Sequence, residues 1–432
     1  MRFIGLTVRN PKAARRWLLG PAIGPRVAGC LSGMISILIL CVLTVSAGCT
    51  DPDARDLPPS SAKDSAGIEV IDIRGSGSEG DGVWRLTPDP LLTIGVVAGE
   101  PEYEFSYVVG AFRLAPDTIV VLDDDAGELR FYDGLGNHIR TVGGRGEGPG
   151  EFEWATDIST FAGGVQLKAS NKRIRFSSSG DLISDDSFRW TPLQQYLCPL
   201  TFLGDEVFLC DFVEGGIVLD DGSQAPQYRL LHTVWGGQRF DTLGLFTGLA
   251  TAFHRGNDGR LQAVSDPFER QDHVALGGSP PVVVTLRRDL YELTIMTTEG
   301  QPLRIVRRHE AEEAPGDEVI DSLYQRAASG LFEVARADVE RLFPRRRAVV
   351  GGWELAVDRV GNIWVGVEKE RVDTTGRRYD MYEVFRTDGS LLGSVAVPAG
   401  ARLADVGEDY VLLVTRNELD VPFLALYGLV KD

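Results

Sequence analysis

Thr118-Ile119-Val120-Val121-Leu122-Asp123, followed by Leu129-Arg130-Phe131-Tyr132-Asp133-Gly134, sets the pattern for the rest of the chain. A short β-branched run, a second apolar run and a Gly-containing turn read as paired strands. The unit recurs. Val165–Ala169 leads to Ile174–Phe176, Glu206–Cys210 to Tyr228–Leu231, and Arg260–Val264 to Tyr291–Ile295. Asn362–Val367 leads to Tyr382–Phe385, and Tyr410–Val414 to Pro422–Tyr427. Units starting at 119, 165, 207, 261, 363 and 411 are spaced by 46, 42, 54, 102 and 48 residues. A four-stranded propeller blade takes about 40–50 residues, so the period predicts six blades with an insertion in the long step.

The expected fold is therefore all-β: a six-bladed β-propeller over residues 68–432, with a short helical insertion at about 316–344, between units four and five. The sixth unit runs out of chain one strand short. Ile68–Ile73 or Leu91–Val97 could supply that strand from the N-terminal side and leave no open edge. The 50 glycines among 432 residues fit a chain that must turn tightly many times. No Pro/Ser-rich stretch after Gly67 divides the body into two domains.

Charge separates the leader from the body. Residues 1–48 hold six basic side chains (Arg2, Arg9, Lys12, Arg15, Arg16, Arg26) and no acid. The remainder carries all 62 acidic residues against 38 basic ones, a formal −24. So acidic a surface repels phosphate backbones, which argues against nucleic acid as a partner. The basic stretch runs into an apolar segment, Leu31–Val45, and then Ser46-Ala47-Gly48-Cys49. That order is a secretory signal. Its Ala-Gly-Cys ending resembles a bacterial lipobox, in which the cysteine thiol takes a lipid, although Ser46 stands where leucine is usual. Residues 1–48 are expected to be a lipoprotein signal peptide, Cys49 the lipidation site and 49–67 a flexible tether rich in Asp, Pro, Ser and Ala. The implied location is the bacterial cell envelope, with the body lipid-anchored and facing the periplasm or exterior.

Only Cys198 and Cys210 then remain. They flank two apolar arms around Gly204-Asp205, and a hairpin there would set them nearly opposite, a possible disulfide in an oxidising compartment. Two buried thiols are the alternative. Histidines at zinc-ligand spacing are missing beside them.

His138-Ile139-Arg140-Thr141-Val142 precedes Gly143-Gly144-Arg145-Gly146-Glu147-Gly148-Pro149-Gly150-Glu151-Phe152. This string resembles the blade-to-blade connection of NHL-type repeats. Val357-Asp358-Arg359-Val360-Gly361-Asn362-Ile363-Trp364-Val365 resembles the start of a blade in the same family. The chain is similar as a whole to NHL-like six-bladed propeller lipoproteins of bacteria. The resemblance implies that Gly143, Gly144, Gly146, Gly148, Pro149, Gly150, Glu151 and Phe152 form a blade-connection motif. A phosphate loop is ruled out because the string lacks a Gly-Lys-Ser/Thr ending.

Within the insertion, Ile320, Leu323, Tyr324 and Ala327 fall on one helical face, and Asp338–Phe343 reads as a second short helix stopped by Pro344. Arg341 and Arg345-Arg346-Arg347 make it either a plain cap on one face of the ring or a docking element for an acidic partner.

Catalytic signatures are sparse. The five histidines are scattered, and there is no Gly-x-Ser-x-Gly elbow. Asp123-Asp124-Asp125 lacks the ligand alternation of an EF-hand and reads as a polar hairpin turn. Asp358 and Asp123 stand at comparable places beside their strands, which suggests repeated turn chemistry. No catalytic or metal-binding residue is assigned and no cofactor is required, though a channel Ca or Zn is compatible with the fold. Two readings follow. One is a monomeric, membrane-anchored propeller that binds or scaffolds a protein, peptide or glycan. The other is an extracytoplasmic enzyme, metal-dependent and lactonase-like or lyase-like, with its site in the central channel.

Overall fold

The structure, a computed structural model, describes residues 60–74, 84–169, 172–187, 201–203, 207–214, 228–235, 239–247, 251–256, 259–268, 272–288, 290–309, 317–329, 334–344 and 353–431. Four short strands come first: β1 (Ser60–Ser65), β2 (Ile68–Arg74), β3 (Trp84–Leu86) and β4 (Leu92–Ile94). The first sheet is the antiparallel meander β5 (Val108–Ala115), β6 (Thr118–Asp123), β7 (Glu128–Asp133), β8 (His138–Gly143). The second is β9 (Ala155–Phe161), β10 (Gly164–Ala169), β11 (Lys172–Ser177), β12 (Leu182–Ser187). The third is β13 (Thr201–Leu203), β14 (Val207–Glu214), β15 (Tyr228–Trp235), β16 (Arg239–Thr247).

A separate hairpin, β17 (Thr251–Arg255) and β18 (Leu261–Ser265), precedes the fourth sheet. That sheet is β19 (His273–Gly277), β20 (Val282–Arg287), β21 (Glu292–Met296), β22 (Pro302–His309). Helices α1 (Asp317–Ala328) and α2 (Arg336–Leu342) follow. The fifth sheet is β23 (Glu354–Val357), β24 (Ile363–Val372), β25 (Arg378–Phe385), β26 (Leu391–Pro398). Last come β27 (Arg402–Val406), β28 (Tyr410–Arg416) and β29 (Pro422–Lys431).

The architecture is an all-β propeller. Where side chains are described, neighbouring sheets share their cores, because they bury apolar side chains on both faces. Phe112, Leu122 and Phe131 of the first sheet pack with Val165, Leu167 and Ile174 of the second. Thr201 Oγ1, on β13, donates to Asp157 Oδ2, on β9, at 3.0 Å. Val284 and Leu293 meet Ile363 and Phe385 between the fourth and fifth sheets. Trp364, Tyr382 and Val395 meet Val411 and Leu413 of the last sheet, whose Leu412 and Leu424 in turn pack with Val108, Ile119 and Tyr132 of the first.

Three expectations need correction. Five blades, not six, are complete meanders of four consecutive strands. The last sheet is composite: three C-terminal strands, with β29 paired to β3 (Leu429↔Leu86, Val430↔Arg85, Lys431↔Trp84) and to β4 (Leu424↔Ile94 to Leu426↔Leu92). Of the two proposed closing segments, then, the one around Leu92–Ile94 serves, and Ile68–Ile73 does not. Instead β2 runs parallel to β22 on the outer edge of the fourth sheet, and β1 covers β2. The end of the stretch read as a tether is thus a strand. Its residues, Ser-Ser-Ala-Lys-Asp-Ser, make a polar, charged edge of the kind that discourages further pairing. Finally, Arg260–Val264 does not begin the fourth blade. Its strand belongs to the separate hairpin, where Ala252, Val264 and Phe268 pack on Ile320, Tyr324, Val339 and Phe343 of the two helices. The blade's own second strand is the buried run Val282–Leu286.

One five-residue turn recurs eight times among the described residues, beginning at Asp133, Ser177, Gly256, Thr297, Asp358, Asp373, Arg386 and Asn417. In each, the first residue's N–H donates to the fifth residue's carbonyl, and the fourth residue's N–H donates to the first residue's carbonyl. The fourth position needs positive φ and is glycine in every copy but one, where Asp420 takes it at φ 61°. At six of the eight, the opening Asp, Asn, Ser or Thr side chain also accepts N–H groups of the third and fifth residues. A side-chain bond from Asn137 Nδ2 to Asp133 and one from Thr375 Oγ1 to Asp373, with these backbone bonds beside them, hold both carboxyls below the usual range. Asp123 does not share this role: it ends β6, and its carboxylate accepts the N–H groups of Ser106 and Tyr107.

Candidate functional site

An even number of antiparallel strands returns the chain to the face it left. All connections between the first and second strands, and between the third and fourth, therefore lie on one face of the ring. None exceeds five residues, from 116–117 in the first sheet to 407–409 in the last. The opposite face carries the connections between sheets: 144–154, 188–200, 248–272 with its hairpin, 310–352 with its helices, and 399–401. One side of the ring is plain and the other elaborated. Loops on a rigid sheet scaffold are where binding and catalytic residues concentrate.

The glycine-rich string is the first of these connections. Gly143 and Gly144 hold φ of 98° and 142°, and Gly146 and Gly150 hold 154° and 80°. At Gly143 a Cβ would meet the Phe152 ring at 2.7 Å and the Gly127 carbonyl at 2.9 Å. Gly144 N–H donates to Gly127 O (2.8 Å), and Phe152 N–H donates to Gly144 O (2.9 Å). Gly148, just before Pro149, donates its N–H to Glu151 Oε2 at 2.9 Å, so that glutamate staples its own loop. Phe152, 1% exposed, plugs the core between the first two sheets.

The string ends by presenting an aromatic. Trp154 has φ of 55° and is 72% exposed. A left-handed backbone costs a non-glycine residue roughly 1–2 kcal/mol, and an exposed indole recovers none of it by burial. Phe152 anchors the strained residue on one side. On the other, Ala155 N–H donates to Asp124 Oδ1 at 2.6 Å.

Trp154 stands at the rim of a 620 Å³ pocket where three inner strands begin. Tyr107, Asp124, Thr156, Arg402 and Arg416 line it as well. Tyr107 is 53% exposed. Arg402 Nη2 donates to Val108 O at 2.8 Å. Arg416 Nη1 donates to Asp420 O at 2.7 Å and pairs with Asp420 Oδ2 at 3.2 Å. Desolvation lowers the Arg402 pKa and the Arg416 charge adds to the effect, while Glu354, Tyr107 and Tyr382 oppose it. Two guanidiniums thus share one pocket in a strongly acidic body. Such a site is suited to an anion beside a flat apolar surface.

Beside Thr156, on the same strand, Asp157 is half-buried. Burial pushes its carboxyl up to about 6, against the lowering effect of the Thr201 hydroxyl, the Phe202 N–H and Lys168. At the plain end of the ring, Asp405 accepts both guanidinium bonds of Arg359 (2.9 and 2.8 Å), the Arg113 N–H and the Tyr410 hydroxyl. That cluster is self-satisfied and links the first, fifth and last sheets.

Cys49 and Cys198 lie outside the described residues. Cys210 sits on β14 opposite His232, and β13 and β14 form a hairpin around residues 204–206. Asp124 and Asp125, in the turn from β6 to β7, are engaged by Ala155 N–H and by Arg145. Among the described residues, no three His, Cys, Asp or Glu side chains converge as metal ligands. In the insertion, Arg341 donates to Asp338, and Arg336 to Glu340 and Asp321, whereas residues 345–347 lie outside the described set. The sequence reading missed the pocket residues Tyr107, Trp154, Arg402 and Arg416, which come from positions up to 309 residues apart. Trp154 alone carried a signal, since it follows the glycine-rich string directly.

No family model and no curated protein matches the chain. Among solved structures, a duf4221 family member from Bacteroides vulgatus ATCC 8482 aligns at 10% identity and a TM-score of 0.47, covering 81% of this chain and 98% of its own. A candidate exported protein from Bacteroides fragilis NCTC 9343 aligns at 9% identity and a TM-score of 0.40, covering 84% and 99%. A streptogramin B lyase aligns at 10% identity and a TM-score of 0.34, covering 81% and 98%.

Proposed function

We propose that this chain is a membrane-anchored, extracytoplasmic propeller that binds a protein, peptide or glycan through its elaborated face. The observation that carries this reading is the asymmetry of the connections. Every long one leaves from the side where the pocket opens, and the other side has only tight turns. A scaffold with one rigid, plain side and one side of loops and aromatic side chains is built to present a surface. In this reading the composite last sheet counts as a sixth blade, completed by β3 and β4. Cys49 carries the lipid, residues leading to β1 span the gap to the membrane, and Cys198 and Cys210 form a disulfide.

Crosslinking in the native envelope followed by pull-down tests the binding reading. A partner that crosslinks to residues of the 144–154 loop, and not to the turns of the opposite face, supports it; labelling of the plain face alone refutes it. For the anchor, Cys49→Ala should release the protein to the soluble fraction, and unchanged membrane retention sinks that part.

The enzyme reading has one feature on its side, the Asp157 carboxyl, which burial pushes up to about 6 on the same strand as pocket residue Thr156, though it is bonded to Thr201 and does not line the pocket. A stoichiometric Ca or Zn lost to EDTA together with a hydrolytic or lyase activity would favour it over simple binding.

A further inference from the structure

The pocket at the elaborated face is more specific than the face as a whole, and its chemistry narrows the ligand. Arg416 is held only by Asp420, a carboxylate 83% exposed on its side chain, so the pair is weak and its guanidinium remains free to engage a better-placed anion. Arg402 spends one N–H group on Val108 O, and a guanidinium has five. Asp124, the one carboxylate lining the pocket, is committed to Ala155 N–H. Two rings, Trp154 and Tyr107, stand exposed beside these cations.

Several main-chain groups around the pocket are already engaged. Ser106 and Tyr107 N–H donate to Asp123, Ala155 N–H to Asp124, and Val108 O accepts from Arg402. The side-chain donors and ring faces match a pyranose ring bearing a carboxylate. The C–H face of the sugar can lie on the indole while the carboxylate meets the guanidiniums. A volume of 620 Å³ falls within the range of about 300–1,000 Å³ typical of sites for small ligands.

We infer that this pocket binds a uronate residue of an acidic polysaccharide, with Arg402 and Arg416 holding the carboxylate and Trp154 stacking on the ring. The inference rests on the binding reading of the elaborated face and names its ligand class.

Titration of the full-length protein with trigalacturonate, trimannuronate and a hyaluronan tetrasaccharide, followed by calorimetry, tests it. At least one should bind saturably. Methyl esterification, which keeps the rings and removes the charge, should weaken that binding at least about tenfold, the loss of one charge-assisted contact. Arg416→Gln should cost about the same, and because the polar contacts of the Arg416 side chain among the described residues are with exposed Asp420, an unchanged circular dichroism spectrum is expected. Trp154→Ala should weaken acid and ester alike. Binding by none of the three uronates, equal affinity for acid and ester, or equal affinity for a Glu-rich hexapeptide overturns the inference. If the uronates fail while envelope crosslinking still maps to the elaborated face, only the ligand class falls; if both fail, the binding reading falls with it.

Discussion

Asp358 concentrates four hydrogen bonds in one buried carboxylate. Its Oδ1 accepts the N–H groups of Val360 (3.1 Å) and Asn362 (2.7 Å). Its Oδ2 accepts Asn362 Nδ2 (2.8 Å) and Trp364 Nε1 (3.1 Å). Asp358 is 5% exposed and Trp364 is fully buried. In Asp358→Ala, the turn N–H groups sit beside half-exposed Asn362 and exposed Val360 and can turn to water. The indole N–H cannot, and an orphaned buried donor costs about 1–3 kcal/mol. Loss of the turn's internal acceptor adds about 1 kcal/mol, for a total of roughly 2–4 kcal/mol. Asp358→Asn keeps the Oδ1 acceptor but points an NH₂ group at two donors, so it should recover only part of the loss.

The assay is urea unfolding followed by far-UV circular dichroism, with the same substitution repeated in a Trp364→Phe background. If the indole donor is the source of the cost, Asp358→Ala should be milder there by about 1–3 kcal/mol, a coupling read directly from the double-mutant cycle. Equal losses in both backgrounds would refute the reasoning. So would a loss no greater than that of Asp373→Ala, which opens the same turn in solvent.

Gly143→Ala places a Cβ against Phe152 and the Gly127 carbonyl at a φ that alanine avoids, and should destabilise by about 1–3 kcal/mol in the same urea assay. Trp84→Ala removes a buried ring set edge-on to Trp364 (6.0 Å) beneath Lys431 (4.5 Å). It should cost about 3–5 kcal/mol and speed amide exchange along β29, and unchanged exchange there would count against β3 as the closing strand. For Asp157, whose carboxyl rises from 3.8 to about 6, the folded state keeps a proton that the unfolded chain has released between those values. Its contribution is therefore fully present below pH 3.8 and lost as pH rises through about 6. Asp157→Asn should abolish that slope in urea midpoints measured from pH 4 to pH 7.5, and a slope that persists points to another group.

The strands and turns of the fold were legible where the pattern is local. The run Thr118–Asp123, the string around Gly143 and the Asp358 turn each state their geometry within a dozen residues. The fourth blade was misread because Arg260–Val264 shows strand alternation but pairs within its own hairpin, beside the helices. The blade's true second strand follows Gly277-Gly278-Ser279-Pro280-Pro281 and is a nearly continuous apolar run, Val282–Leu286, without the alternation that marks Arg260–Val264. Strand β1 was hidden for the opposite reason: an edge strand in water needs no apolar residue, so its composition reads as linker. The pocket was not legible at all. Tyr107, Trp154, Arg402 and Arg416 meet only because the ring brings its last sheet against its first, and a property of closure leaves no trace in local spacing.

That closure also sets an order of events. The bonds between β29 and β3 join residues more than 340 positions apart, so the seam can form only after residues 429–431 have been made. Until then the outer edge of β29 and the apolar flank holding Trp84 and Trp364 have no cover. Contacts of such long sequence separation are slow to form. A chain halted anywhere before Pro422 would carry its earlier blades with the latch undone. Exposure to proteases and holdases should therefore depend on how quickly residues 422–431 find β3 and β4.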